Sequence, residues 1–271
     1  MLYGPIMHPI AQQSRYLPCL TKLDFTFFKQ TSHSILLIKP SNVTGDFRIK
    51  IHDMSIFLKH VTLYPETLNA IETRLNNGQP ANYYFENIII RDFALARGLT
   101  SIRIPDVLLT SYQPKELFLG ILEKKEADGD WQSHGFHFQH FDVSEIKLQI
   151  GSNTFPNPVF TPNYTEDDPD WTREYFSWYG TSFGLTQKSD FGIGSYTYEL
   201  YPNAFCIYRF CFDRLGHGVK EWNASFLDPR QNIPSLDILI KFAKRLPEEC
   251  RIIVKCIYDE MFQVKKTDRA E

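Results

Sequence analysis

WQSHGFHFQHFDVSEIKLQIGSNTFPN, residues 131–157, is the stretch on which the fold turns. It sets His134, His137 and His140 three residues apart among Phe136, Phe138 and Phe141, which reads either as a cluster of metal ligands or as β-structure. The phenylalanine content, Gly135 and the shortage of helix formers favour a strand. Side chains alternate along a strand, so His134, Phe136, Phe138 and His140 share one face, and Gly135, His137, Gln139 and Phe141 the other. His134 and His140 would then stand about 20 Å apart, whereas a shared ion needs metal–nitrogen bonds of about 2 Å. The histidines are expected as buried hydrogen-bonding groups, with no metal. Downstream, Val143, Ile146, Leu148 and Ile150 mostly alternate before a Gly-Ser-Asn turn, which predicts a hairpin.

Outward from this stretch, short β-like runs bounded by turn residues dominate. Residues 22–29 and 34–39 read as a hairpin, and residues 47–63 as one long half-buried strand or two with a bulge near Asp53. Further strands are expected at residues 82–95, 101–109, 116–125, 204–215, 234–243 and 250–264. Two helices are marked. Pro65 opens one whose Leu68, Ile71 and Leu75 recur at helical spacing, with Gly78 closing it. In the other, Asp168 is the expected N-cap and Pro169 the first helical residue. Trp171, Tyr175, Trp178 and Tyr179 follow as one aromatic stripe, a packing helix or an interface.

The 271 residues suffice for a sizeable core without metal or disulfide staples. Aromatic residues at 15%, with 22 Phe and 14 Tyr, lean towards the β-rich set. Many short strands with regular turn signals predict an all-β sandwich or barrel with short helical insertions. Net charge is −3 with scattered Lys and Arg, which gives no footprint for direct nucleic-acid binding. The five cysteines, Cys19, Cys206, Cys211, Cys250 and Cys256, contain no C-x-x-C pair, so a reducing, intracellular setting is expected. The amino terminus lacks a signal-peptide pattern, and no apolar run of about 18 residues occurs, so neither secretion nor a transmembrane segment is expected.

Other candidate chemistry has plain readings. Glu166, Asp167, Asp168 and Asp170 could pair carboxylates for acid/base work, but their place before an aromatic helix suits a capping, solvated turn. The GIGS at residues 192–195 lacks the context of a phosphate loop and reads as a flexible turn. No G-x-S-x-G elbow is present.

The ordered blocks of the chain resemble the double jelly-roll major capsid protein of Polinton/Maverick elements and the related adintoviruses. The motif is Phe136, His137, Phe138, Gln139, His140 and Phe141, followed by the turn from Gly151 to Pro156. KELFLGILEK, IKIHDMSIFLKHVTLYPETLNAI, YFSWYGTSF, AFCIYRFCFDRL and residues 235–264 are similar to further blocks of that family in the same order. The resemblance implies an antiparallel jelly-roll sandwich, complete over residues 45–271, with residues 1–44 as remnant closing strands of a first jelly roll. It implies a structural capsid-type subunit of a virion or virus-like transposon, whether a truncated or a domesticated copy. Such a subunit builds homotrimeric pseudo-hexagonal capsomers with other capsid proteins. No catalytic residue, cofactor, small-molecule substrate or membrane contact is implied. Two other readings stay open: a cellular β-sandwich binding carbohydrate or protein through Trp131, Trp171, Trp178 and Trp222, and a metal-dependent hydrolase using the three histidines and the acidic run.

Overall fold

The computed structural model describes residues 5–6, 8, 10–11, 15–18, 21–27, 51–110, 112–129, 135–182, 191–212 and 235–265. Eight strands lie among them: β1 (Ala81–Leu95), β2 (Ser101–Ile104), β3 (Glu116–Glu123), β4 (Val143–Ile150), β5 (Asn153–Phe160), β6 (Ile207–Cys211), β7 (Leu236–Phe242) and β8 (Cys250–Val264). Four helices interrupt them: α1 (Pro65–Asn76), α2 (Lys124–Asp128), α3 (Thr172–Ser182) and α4 (Phe191–Ala204). The chain divides into two compact units. The larger spans Ile88–Tyr258 and the smaller holds α1, the start of β1 and the end of β8. The expected domain boundary between residues 44 and 45 lies outside the described residues, as does the strand expected at residues 34–39.

The strands form two four-stranded sheets, ordered β1-β8-β3-β6 and β2-β7-β4-β5. The first strand therefore neighbours the last, the second the seventh, the third the sixth and the fourth the fifth. This is a single antiparallel ribbon rolled on itself, with the β8–β3 and β7–β4 contacts closing the two sheets. Such wrapping defines an eight-stranded jelly roll. The protein is thus an all-β, antiparallel jelly-roll sandwich with short helical insertions, as expected.

Alternation fills the space between the sheets. Leu117, Leu119 and Ile121 of β3 and Ile252 and Val254 of β8 face Ile146, Leu148 and Ile150 of β4 and Leu236, Ile238 and Ile240 of β7, and all are buried. Removing such side chains from water is the main stabilising term, about 25 cal/mol per Å². Val143 is out of phase with Ile146, and a register shift between Val143 and Glu145 in the β4–β7 ladder lets both point inward. The β4–β5 hairpin turns through Gly151 at φ 58°, a conformation that favours glycine. Phe155 and Phe160 of β5 then reach Phe210 of β6, with ring centroids 6.2 and 5.3 Å away, and tie the sheets together at one edge.

Helix α1 forms as read: Pro65 opens it, Glu66 and Arg74 complement its dipole, and Gly78 at φ 74° ends it. Several expectations need correction: the strand expected at residues 101–109 stops at Ile104, and the one expected at 116–125 gives way to α2 at Lys124. Residues 22–27 are outside every strand, as are residues 51–63; the remainder of those two expected strands lies outside the described residues. Residues 135–141 are a loop with one isolated bridge at Phe138, not a strand. Helix α3 begins at Thr172 rather than Pro169, because Asn163 and Asp170 exchange two backbone hydrogen bonds of 2.7 and 2.8 Å and hold Pro169 in the closed loop. The GIGS glycines are in helix α4, not in a turn.

Candidate functional site

The motif stretch is positioned by β3. Strand β6 stops pairing at Ile207 opposite Gly120, while β3 continues to Glu123. Beyond that point the motif takes over: the Gln139 N–H donates to the Ile121 carbonyl at 3.0 Å, and the Cys206 N–H to the Phe138 carbonyl at 3.1 Å. A third bond, from the His140 N–H to the Pro202 carbonyl at 2.8 Å, reaches α4. Bonds to three separate segments satisfy the backbone without a ladder, which is why this stretch is not a strand. Phe138 lies on Gly120 so closely that a Cβ there would sit 2.5 Å from its ring. Phe141 and Asp142, at φ 43° and 51°, then turn the chain into β4.

The histidines part company in this loop. His137 Nδ1 lies 3.2 Å from Glu126 Oε1 and 3.1 Å from Gln139 Nε2. His140 Nδ1 instead accepts the Asp142 N–H at 2.9 Å, and its ring stacks on Tyr164 at 4.4 Å. Burial pushes the His140 pKa down, partly opposed by the Asp142 carboxylate, so the imidazole is held neutral as an acceptor. His134 lies outside the described residues, and among those described no group of three or more His, Cys, Asp or Glu is placed to hold a metal ion. Of the motif, Phe136 is exposed and the rest half-buried, while Gly151 and Pro156 sit in the hairpin turn and in β5.

An aromatic layer continues from His140. Tyr164 stacks on Trp171 at 5.7 Å, and Trp171 on Tyr198 at 5.5 Å, with the indole N–H towards the Tyr198 carbonyl at 3.4 Å. Tyr175 and Tyr179 are buried, stacked at 5.2 Å, and Trp178 packs against Tyr175, Tyr201 and Phe205. The stripe on α3 is a packing face. Beneath it the Tyr164 hydroxyl meets the Tyr208 hydroxyl at 2.9 Å and Cys206 Sγ at 3.3 Å. Burial pushes the Cys206 thiol up to about 11 and Cys250 to about 12, so neither is a ready nucleophile. Trp131 and Trp222 lie outside the described residues.

The acidic run is a cap and an exposed turn. Asp170 Oδ1 accepts the Thr172 N–H at 3.2 Å, the Asp168 carbonyl accepts from Asn163 Nδ2 at 2.6 Å, and Glu166, Asp167 and Asp168 are exposed. The buried carboxylate nearby is Glu174, whose pKa burial raises while backbone N–H groups, including that of Thr161, partly oppose the rise. Sequence reasoning misses it, although its spacings of three from Trp171 and four from Trp178 set it on the same helical face as those two indoles. Arg209, also buried, grips Glu116 with two nitrogens at 3.0 and 2.7 Å and the Ser177 carbonyl at 3.3 Å, pinning α3 to the outer side of β6.

Exposed apolar surface is concentrated elsewhere. Between Ile51 and Tyr64 eight large apolar side chains are exposed, Phe57 to 77% and Tyr64 to 83%. On the outward face of β1, Tyr84, Ile88 and Ile90 are exposed as well. No helix among the described residues is long and apolar enough to cross a membrane.

No protein-family model and no curated protein matches the sequence. Among solved structures the chain is similar to a chain of the PBCV-1 virus capsid in a quasi-atomic description, at 8% identity and a TM-score of 0.38, covering 73% of this chain and about half, 52%, of that one.

Proposed function

We propose that the chain is a structural, capsid-type jelly-roll subunit that works by self-association. The carrying observation is the jelly-roll wrapping of all eight strands, in which ordered sequence blocks that resemble the double jelly-roll capsid family fall on β3, β4, β5, β6, β7 and β8. The finer reading is a homotrimeric, pseudo-hexagonal capsomer of a Polinton/Maverick or adintovirus-like element, located in the virion, with other capsid proteins as partners and no catalytic role. Repeated subunits in a closed ring need complementary surfaces rather than an active site. The buried Arg209 and Glu174 and the half-buried Glu116 and Tyr164 fit that role, since their partners lie within the chain and hold its helices against the sheets.

Jelly rolls also serve lectins and cupins, so the carbohydrate reading has to be weighed. A sugar-binding indole needs an open face, whereas the Trp171 ring is engaged by two stacked neighbours, Tyr164 and Tyr198, and is partly buried against the core. The test is the mass of the purified full chain by light scattering, with negative-stain microscopy of the same sample. Trimers with a hexagonal outline are expected. A strict monomer at all concentrations that binds a glycan array would overturn the proposal.

A further inference from the structure

The segment from Ile51 to Leu63 runs through thirteen residues without a helix, turn or bend and without a ladder among the described residues. Its apolar side chains lie open. At about 100 Å² for each half-exposed large side chain, the eight between Ile51 and Tyr64 present on the order of 800 Å². Summed over both faces of the segment, that is comparable with the ~800 Å² that each partner contributes to a standard stable interface.

We infer that this segment is a self-recognition arm, which pairs antiparallel with the same segment of a second copy about a two-fold axis through Ile56. The register follows from the residues. Centred on Ile56, Asp53 faces Lys59 of the second copy, and by symmetry Lys59 faces Asp53. In the same register Ile51 faces Val61, Met54 faces Leu58 and Ser55 faces Phe57. All of these side chains are exposed, and Lys59 rests over the Tyr16 ring at 5.9 Å. A shift of the axis to Phe57 sets Asp53 against Val61 and Lys59 against Ser55, and a shift to Ser55 sets Asp53 against Phe57 and Lys59 against Ile51. Of these three, only the Ile56 register sets the two opposite charges against each other, and it does so while pairing Ile51 with Val61 and Met54 with Leu58, the kinds of pair that stabilise an antiparallel ladder; Ser55 against Phe57 is its mismatch. The interface is isologous, so it makes pairs, whereas the heterologous contacts of a capsomer ring close a trimer. It therefore goes beyond the capsid reading and does not depend on it.

The experiment is sedimentation equilibrium of the full chain and three charge variants. Wild type should double its mass with rising concentration, from whatever unit it starts as. Asp53→Lys and Lys59→Asp should each weaken that step about tenfold or more, since each sets like charges opposite one another twice. The double exchange Asp53→Lys with Lys59→Asp should restore it, which a general loss of folding could not do. A wild-type chain that never doubles, single variants that double normally, or a double exchange that stays weakened would each overturn the arm. A monomer that pairs would sink the trimer while sustaining the arm, and a trimer that does not pair would do the reverse.

Discussion

The loop at residues 135–142 and the segment at residues 51–64 are both stretches outside every sheet, and they are held in opposite ways. In the loop, backbone groups bond to β3, to α4 and to the residue leading into β6, and Phe138 is seated on a glycine with no room to spare. The segment has no ladder among the described residues and leaves its apolar side chains in water. The loop's side chains thus contribute to folding free energy, while the segment's can contribute mainly to association. Apolar alternation marks a stretch that two surfaces will cover, and says nothing of which molecule supplies them.

The widest separation between the two regions should come from deleting one aromatic ring in each. Trp171→Ala removes a ring stacked on Tyr164 and on Tyr198 in the loop's aromatic layer, and should cost about 3–5 kcal/mol. Phe57→Ala removes a ring that is 77% exposed, and should change stability by no more than about 0.5 kcal/mol. Urea denaturation of both variants measures the difference. Comparable losses would mean that the segment is folded into its own chain after all.

A smaller effect tests how tightly the loop is seated. Gly120→Ala drives a methyl group to within 2.5 Å of the Phe138 ring and should cost about 1–3 kcal/mol. Phe138→Ala removes the obstacle at the price of its own packing. Because the two side chains collide directly, the double variant should be more stable than the sum of single losses allows, by about 1 kcal/mol. Strict additivity in the denaturation midpoints would show that the ring has another place to go.

Much of the architecture was legible because burial on one face leaves a period of two. β1, the β4–β5 hairpin, β7 and β8 fall where alternation and turn residues put them. The failures have physical causes. Residues 135–141 carry strand-forming side chains, but their hydrogen-bond partners come from elements distant in sequence, which local pattern cannot reveal. Two glycines and Pro202 argue against a helix at residues 191–204, yet α4 forms there, with Tyr201 in the core and the Pro202 carbonyl holding His140. The three histidines looked like one feature because they are close along the chain, whereas His137 is set beside Glu126 and His140 against Tyr164. Glu174 could have been noticed, since a carboxylate on the apolar face of a helix is either paired or protonated when buried.

The smallest effect is a pH dependence that belongs to the loop alone. Burial lowers the His140 pKa below its unfolded value near 6.5, so the folded state binds this proton less readily than the unfolded chain. Its contribution is then fully present above about pH 6.5 and is lost as pH falls through the depressed folded value, where a protonated Nδ1 can no longer accept the Asp142 N–H. Glu174 has the opposite sign: its pKa is raised, so the cost of its buried charge is present at neutral pH and is relieved as pH falls. The two must be separated. In a Glu174→Gln background, stability should decline between pH 7 and pH 5, and adding His140→Phe, which keeps a ring on Tyr164, should flatten that decline while lowering stability at pH 7. The charge variants of residues 53 and 59, far from either titrating group in sequence and exposed, should leave the slope as it is. A slope that survives His140→Phe would assign the titration to another group and remove the neutral imidazole from the account of how the loop is held.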